Sequence, residues 1–169
     1  RLAISVKLSQ LGLKFDKKLA RRMILKIYKD CLDRGIELEI DIEGPETIED
    51  TLACVLPLAR FGGEFRQAVA SNQLKSEKFL VAIARRGIKI RLVKGAYHDL
   101  EILWALRHGW PVPVYRDQRQ TDANYEAMAV KLMTHHALVD GNYATHNLRT
   151  IVYCLCAKQH LKIPDERFA

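Results

Sequence analysis

Apolar and polar positions recur along this chain in two periods that take turns. ISVKLS, Ile4 to Ser9, alternates as a strand does and leads to a helix opening near Asp16. In that helix Leu19, Met23, Ile27 and Cys31, with Ala20, Ile24 and Tyr28 beside them, keep helical spacing until Gly35 stops it. IELEIDI, Ile36 to Ile42, alternates apolar and acidic residues in period two, and a helix is expected from about Glu46 to Arg60, ended by the Gly62-Gly63 break. FRQAVAS, Phe65 to Ser71, is a weaker strand before a helix from about Ser76 to Arg86, closed by Gly87. IKIRLVK, Ile88 to Lys94, precedes a helix from Asp99 to His108. GWPVPVYRDQRQ, Gly109 to Gln120, carries Pro111 and Pro113 and mixed charge, so a long loop is expected there. The next helix begins at Thr121 or Asp122, either of which can cap it, and runs to about Val139. NYATH, Asn142 to His146, reads as a further strand, followed by a helix from Leu148 to about Lys158 and a last strand starting near Arg167.

Strand and helix alternating at intervals of roughly 30 residues imply a parallel sheet with helices outside, either doubly wound or a (β/α)8 barrel of TIM type. Charge inside the alternation favours the barrel, because Lys7, Asp41, Arg91, Lys94 and His146 fall near C-terminal strand ends, where inward positions can line a polar site. A full barrel takes about 250 residues and eight strands. With 169 residues and about five βα units, residues 1–169 are expected to form a single partial barrel domain lacking the first and last strands.

Composition narrows the function. The chain has a formal net charge of +7, but Lys and Arg interleave with Asp and Glu, as in DKKLARRMILKIYKDCLDR, so solvated helix faces are expected rather than a nucleic-acid surface. Cys31, Cys54, Cys154 and Cys156 fit neither a disulfide framework nor usual zinc spacing, so free thiols, no metal and a reducing cytoplasm are expected. RLAISVKLSQ has no signal-peptide pattern, and no apolar run reaches membrane-spanning length, so a soluble, unexported protein is expected.

Three groups of residues invite chemistry. Lys7 and Asp41 occupy equivalent places on successive strands, and an ion pair between them is expected, structural or functional. Arg91 and Lys94 put two cations at one strand end beside Gly95 and Ala96, whose small side chains permit close approach of a flat or phosphorylated ligand. The alternative for this pair is a patch of surface cations. ATHN, Ala144 to Asn147, places a hydroxyl, an imidazole and an amide where a strand turns into a helix, suited to an anion or simply to a helix cap. His135 and His136 are adjacent on a helix and are expected to be structural.

ISVKLSQLG, LEIDIEG, IRLVKGAYHD, ATHN and PVYRDQRQTDANYEAM together resemble the proline dehydrogenase family, flavin-dependent barrel enzymes that also occur as a domain of bacterial proline utilization A. That resemblance implies FAD as cofactor, oxidation of L-proline to 1-pyrroline-5-carboxylate, and a quinone as electron acceptor. It implies Lys7 and Asp41 in the proline pocket, Arg91 near the flavin N5, Val93, Lys94, Gly95 and Ala96 along the ring and ribityl chain, and Thr145, His146 and Asn147 on the phosphate and adenosine side. Register places Ala70 where the family's fourth strand ends in a glutamine, with Gln67 and Gln73 as substitutes. A bacterial cytoplasmic setting follows, with peripheral contact at the inner face of the membrane, a homo-oligomer or a longer parent chain as the contexts left open. The competing reading is a flavin-free barrel remnant that serves as an interaction module; a third is a lysine-dependent aldolase using Lys7 or Lys94.

Overall fold

The computed structural model describes residues 2–62 and 64–169. Five strands, β1 (Ala3–Val6), β2 (Glu37–Ile40), β3 (Phe65–Ala70), β4 (Lys89–Val93) and β5 (Gly141–Tyr143), pair in parallel in chain order. The helices are α1 (Lys17–Asp33), α2 (Pro45–Val55), α3 (Ser76–Ala84), α4 (His98–His108), α5 (Gln118–Met133) and α6 (Leu148–His160). A doubly wound sheet reverses its strand order at a switch point, whereas this one advances without reversal, as in an arc of a (β/α)8 barrel. Gly63, the second residue of the expected break, lies outside the described residues.

Alternation sorts the sheet into two chemistries. Leu38, Ile40, Phe65, Val69, Ile90 and Leu92 are almost wholly buried on the helix side, against Ala20, Ile24, Tyr28, Leu80, Ile83, Met128 and Leu132. Tyr28 packs edge-on against Phe65, with ring centroids 5.3 Å apart, and its hydroxyl donates to the Gly62 carbonyl. The opposite face carries Glu37, Glu39, Arg66, Ala68, Lys89 and Arg91, the inward face of a barrel.

Several boundaries differ from the sequence expectation, each for a local reason. In α1 the buried row is Ala20, Ile24, Tyr28 and Cys31, while Leu19 and Met23 lie at its margin. Pro57 has no N–H to extend α2, so the expected run to Arg60 stops at Val55 and continues as a 3-10 helix over Leu56–Phe61. After Val6 the chain turns into a 3-10 helix, Leu8–Leu11, so β1 ends before Lys7. The strand expected from Asn142 to His146 is Gly141–Tyr143, and the last strand begins as a bridge of Phe168 to Gly141.

The largest difference lies between β4 and β5. The helix expected from Thr121 or Asp122 begins at Gln118, because the Asp117 side chain accepts from the Arg119 amide and caps it, and it ends at Met133 rather than Val139. α5 packs on β4 and β5, burying Tyr125, Met128, Ala129, Leu132 and Met133, whereas α4 buries only Glu101 and Ala105. The crossover therefore holds two helices, of which the second covers the sheet. Residues 109–117 form an ordered connection, with Val114 bridged to Gln73 and the Leu74 amide donating to the Pro113 carbonyl.

Asp16 caps α1 by accepting from the Lys18 and Leu19 amides at 2.8 and 3.1 Å. Asp16→Ala should cost about 1 kcal/mol, read as a lower urea midpoint with an unchanged slope.

Candidate active site

The C-terminal strand ends converge on an open cleft of about 320 Å³, lined by Asp41 and Ile42 after β2, Arg91 and Val93 to Tyr97 around the end of β4, and Ala144, Thr145 and His146 after β5. A larger hollow of about 440 Å³ lies beside α4, but its lining of Tyr97, Leu100, Trp104, Trp110 and Pro111 is mainly apolar, and its carboxylates Glu43, Glu46 and Glu101 already accept from Ser9, Lys14 and Gln73. The charged strand ends therefore meet in the smaller cleft.

Arg91 is the hub. Its guanidinium reaches Glu39 at 2.6 Å and Asp41 at 2.8 Å, and Arg66 binds Glu37 and Glu39 at 3.0 and 3.4 Å. Ala68 is the register partner of Arg91 on β3, and its small side chain lets Arg91 cross that strand to the carboxylates of β2. The expected Lys7–Asp41 pair is present but loose at 3.8 Å, and Asp41 lies closer to Arg91. Lys7 also reaches the Tyr97 hydroxyl at 3.4 Å. Tyr97 first, then Asp41, raises the Lys7 pKa, which keeps the amine protonated and unsuited to imine formation.

Lys94 follows the end of β4 and turns towards α5, with Asp122 at 2.5 Å and the Thr150 hydroxyl at 3.2 Å. Asp122, expected as a cap, is instead the partner of this ammonium, and the Thr121 hydroxyl is buried without a partner. Burial opposes the Asp122 charge, but hydrogen bonds from Lys94 and Gln118 and the charges of Lys94 and Arg149 prevail and lower its pKa. A depressed carboxyl contributes stability that is present above its unfolded pKa of about 4 and lost as pH falls through the folded value. The urea midpoint should thus fall on acidification below about pH 4, and Asp122→Asn should flatten that part of the profile; an unchanged profile would refute the coupling.

The ATHN motif divides. Thr145 and exposed His146 line the cleft, whereas the Asn147 side chain accepts from the Thr150 amide as the cap of α6. Neither glutamine substitutes at the end of β3: Gln67 lies in the helix-facing layer and donates to the Ile40 and Ala68 carbonyls, and Gln73 donates to Glu101. Ala70 itself is buried on the inward face. His135 and His136 bond only to nearby atoms on their own turn, and among the described residues no group of three or more His, Cys, Asp or Glu is placed to hold a metal. The cysteines are free thiols, with Cys31, Cys54 and Cys154 buried and Cys156 exposed; burial pushes the Cys154 thiol up to about 11.

The sequence does not mark Glu39, Tyr97, Asp122 or Glu101 as site residues. Their signal is weak, because each gains its meaning from a partner at least 28 positions away.

The family model for proline dehydrogenase matches residues 1–169. The chain belongs to the proline dehydrogenase family. It is 34% identical to the bifunctional protein PutA of Salmonella typhimurium and 32% identical to that of Escherichia coli, each match covering 93% of this chain and 14% of the relative. The structure of proline utilization A from Bdellovibrio bacteriovorus inactivated by N-propargylglycine superposes with a TM-score of 0.90 at 27% identity, over 97% of this chain and 19% of that one. The chain thus spans about one seventh of the length of these curated relatives. A proline dehydrogenase barrel accounts for the parallel order and the inward charge. No described helix is long and apolar enough to cross a membrane.

Proposed function

We propose that residues 1–169 are part of one proline dehydrogenase barrel domain that oxidises L-proline to 1-pyrroline-5-carboxylate with FAD as cofactor and a quinone as final electron acceptor. One observation carries the reading: in a chain of this family, Asp41, Arg91, Val93, Lys94, Gly95, Ala96, Thr145 and His146 line a single cleft at the C-terminal end of the sheet.

The residues present fit a flavin. Arg91 and Lys94 give the cleft a cationic side, the Arg91 Nε is a buried donor without a partner, and Gly95 and Ala96 leave the rim low. The first turn of α6 adds amide donors beside Thr145 and His146, suited to phosphate. Flavin bound there would supply the acceptor for a hydride from C5 of proline, whose ring nitrogen loses a proton as the C5–N double bond forms. Arg91, held by Glu39 and Asp41, would place fixed positive charge where negative charge develops. Lys7, protonated and held near Asp41 and Tyr97, would give the substrate carboxylate a cation to meet. Catalytic roles thus fall to Lys7, Asp41 and Arg91. The cytoplasmic setting, with access to a membrane quinone, belongs to the same proposal.

A visible spectrum of the purified protein, before and after addition of FAD, tests it. Flavin bands that bleach with L-proline are the expected result. A colourless protein that takes up no FAD would overturn the flavin reading and leave the interaction module.

A further inference from the structure

We propose that Glu101 on α4 is a positioning residue for the rim of the cleft: by holding Asn72 and Gln73 it fixes the Lys94–Gly95–Ala96 turn and residues 109–117 together. That the rim borders a flavin rests on the function proposed above; the holding itself does not.

A buried carboxylate is costly unless its oxygens are engaged. Glu101 is 6% exposed on a helix that otherwise buries only Ala105. Both of its oxygens are used: Oε2 accepts from Asn72 Nδ2 at 2.8 Å, and Oε1 accepts from Gln73 Nε2 at 2.6 Å. Burial raises the Glu101 pKa, and those two amides pull against the rise. A carboxylate can accept at both oxygens, whereas a glutamine would set one NH2 group against another.

What the two amides hold defines the rim. The Asn72 amide donates to the Lys94 carbonyl at 2.9 Å, and the Asn72 carbonyl accepts from the Tyr115 amide at 2.9 Å. The Asn72 side chain lies against Gly95 so closely that a Cβ there would stand 2.4 Å from its Cγ and Oδ1. Gln73 bridges to Val114, and the adjoining Leu74 amide donates to the Pro113 carbonyl at 2.9 Å. One carboxylate therefore joins the end of β3, the turn after β4 and the connection that leads to α5.

The test uses the protein as purified and two readouts. Glu101→Gln should speed hydrogen exchange at the amides of Asn72, Leu74 and Tyr115 by about tenfold or more, while Ile24 and Tyr28 in α1 keep wild-type protection. Where the wild type binds FAD, its affinity, followed by flavin fluorescence, should fall by a similar factor. The double exchange Asn72→Asp with Glu101→Gln swaps carboxylate and amide across the same bond and should restore both readouts. Unchanged exchange at the three amides, an equal loss of protection in α1, a double exchange that restores nothing, or unchanged FAD affinity would each overturn the proposal. Absence of FAD binding by the wild type would count against the flavin reading alone, and the exchange data would then decide the holding role. Should Glu101→Gln fail to fold, Gln73→Leu removes one arm only and is read by the same outcomes.

Discussion

Replacing Arg91 with methionine should lower stability by about 2–4 kcal/mol, measured as a shift of the urea midpoint at constant slope. Arg91 holds Glu39 at 2.6 Å and Asp41 at 2.8 Å, and the three side chains are 27%, 12% and 26% exposed. Breaking a buried pair costs about 3–5 kcal/mol and an exposed pair at most about 1; partial exposure places this site between them. Methionine fills much of the stem's volume, so the loss reports two carboxylates left with only their longer contacts, Glu39 to Arg66 at 3.4 Å and Asp41 to Lys7 at 3.8 Å. Arg91→Lys keeps the charge but cannot fork to both partners and should recover less than half of the loss. Adding Glu39→Gln to Arg91→Met should return part of it, since the stranded charge is what costs. A loss below about 0.5 kcal/mol would mean that the hub is solvated and contributes no more than surface pairs do.

Gly95→Ala is expected to cost about 2–5 kcal/mol and to abolish FAD binding. Gly95 has φ of +116°, a backbone region costly for any side chain, and the new Cβ would meet Asn72 at 2.4 Å. The strain contributes about 1–3 kcal/mol and the overlap about as much again. Asn72 cannot give way freely because Glu101 holds it. Gly35→Ala is the matched control: its φ is +64°, nothing stands within 4 Å of the added Cβ, and about 1 kcal/mol is expected. Near-equal losses at the two glycines would show that Asn72 yields and that the rim is soft.

Much of the fold is legible in period alone, because most strands carry one apolar face, and Asp16 and Asn147 announce the starts of α1 and α6. The β4–β5 crossover shows where period fails. DQRQTD contains no apolar repeat, so the first turn of α5 looks like loop, although Asp117 is a sound cap. Leu100, Leu103, Trp104 and Leu106 suggest that α4 covers the sheet, yet all four are exposed. For the site, Arg91, Lys94 and ATHN are visible because charge at a strand end is anomalous. Their counterparts hide in ordinary contexts: Glu39 in an alternating strand, Asp122 at an expected helix start, Glu101 on what reads as a solvated face. Spatial partnership across 28 to 52 positions has no local signature in one sequence.

Ala68 has a further consequence. Arg91 reaches Glu39 only by passing over it, so the bond joins strands that are not neighbours and spans the whole width of β3. A slip of β4 by one residue is already refused by the apolar layer, because Ile90 and Leu92 would turn to the inward face, whereas a slip by two keeps the alternation and is opposed where Arg91 leaves Glu39 and Asp41. The charges on the inward face thus act as a key that only one alignment of three strands can turn, a guard against misregistered sheets that the apolar layer, rich in interchangeable Leu, Ile and Val, could not provide by itself.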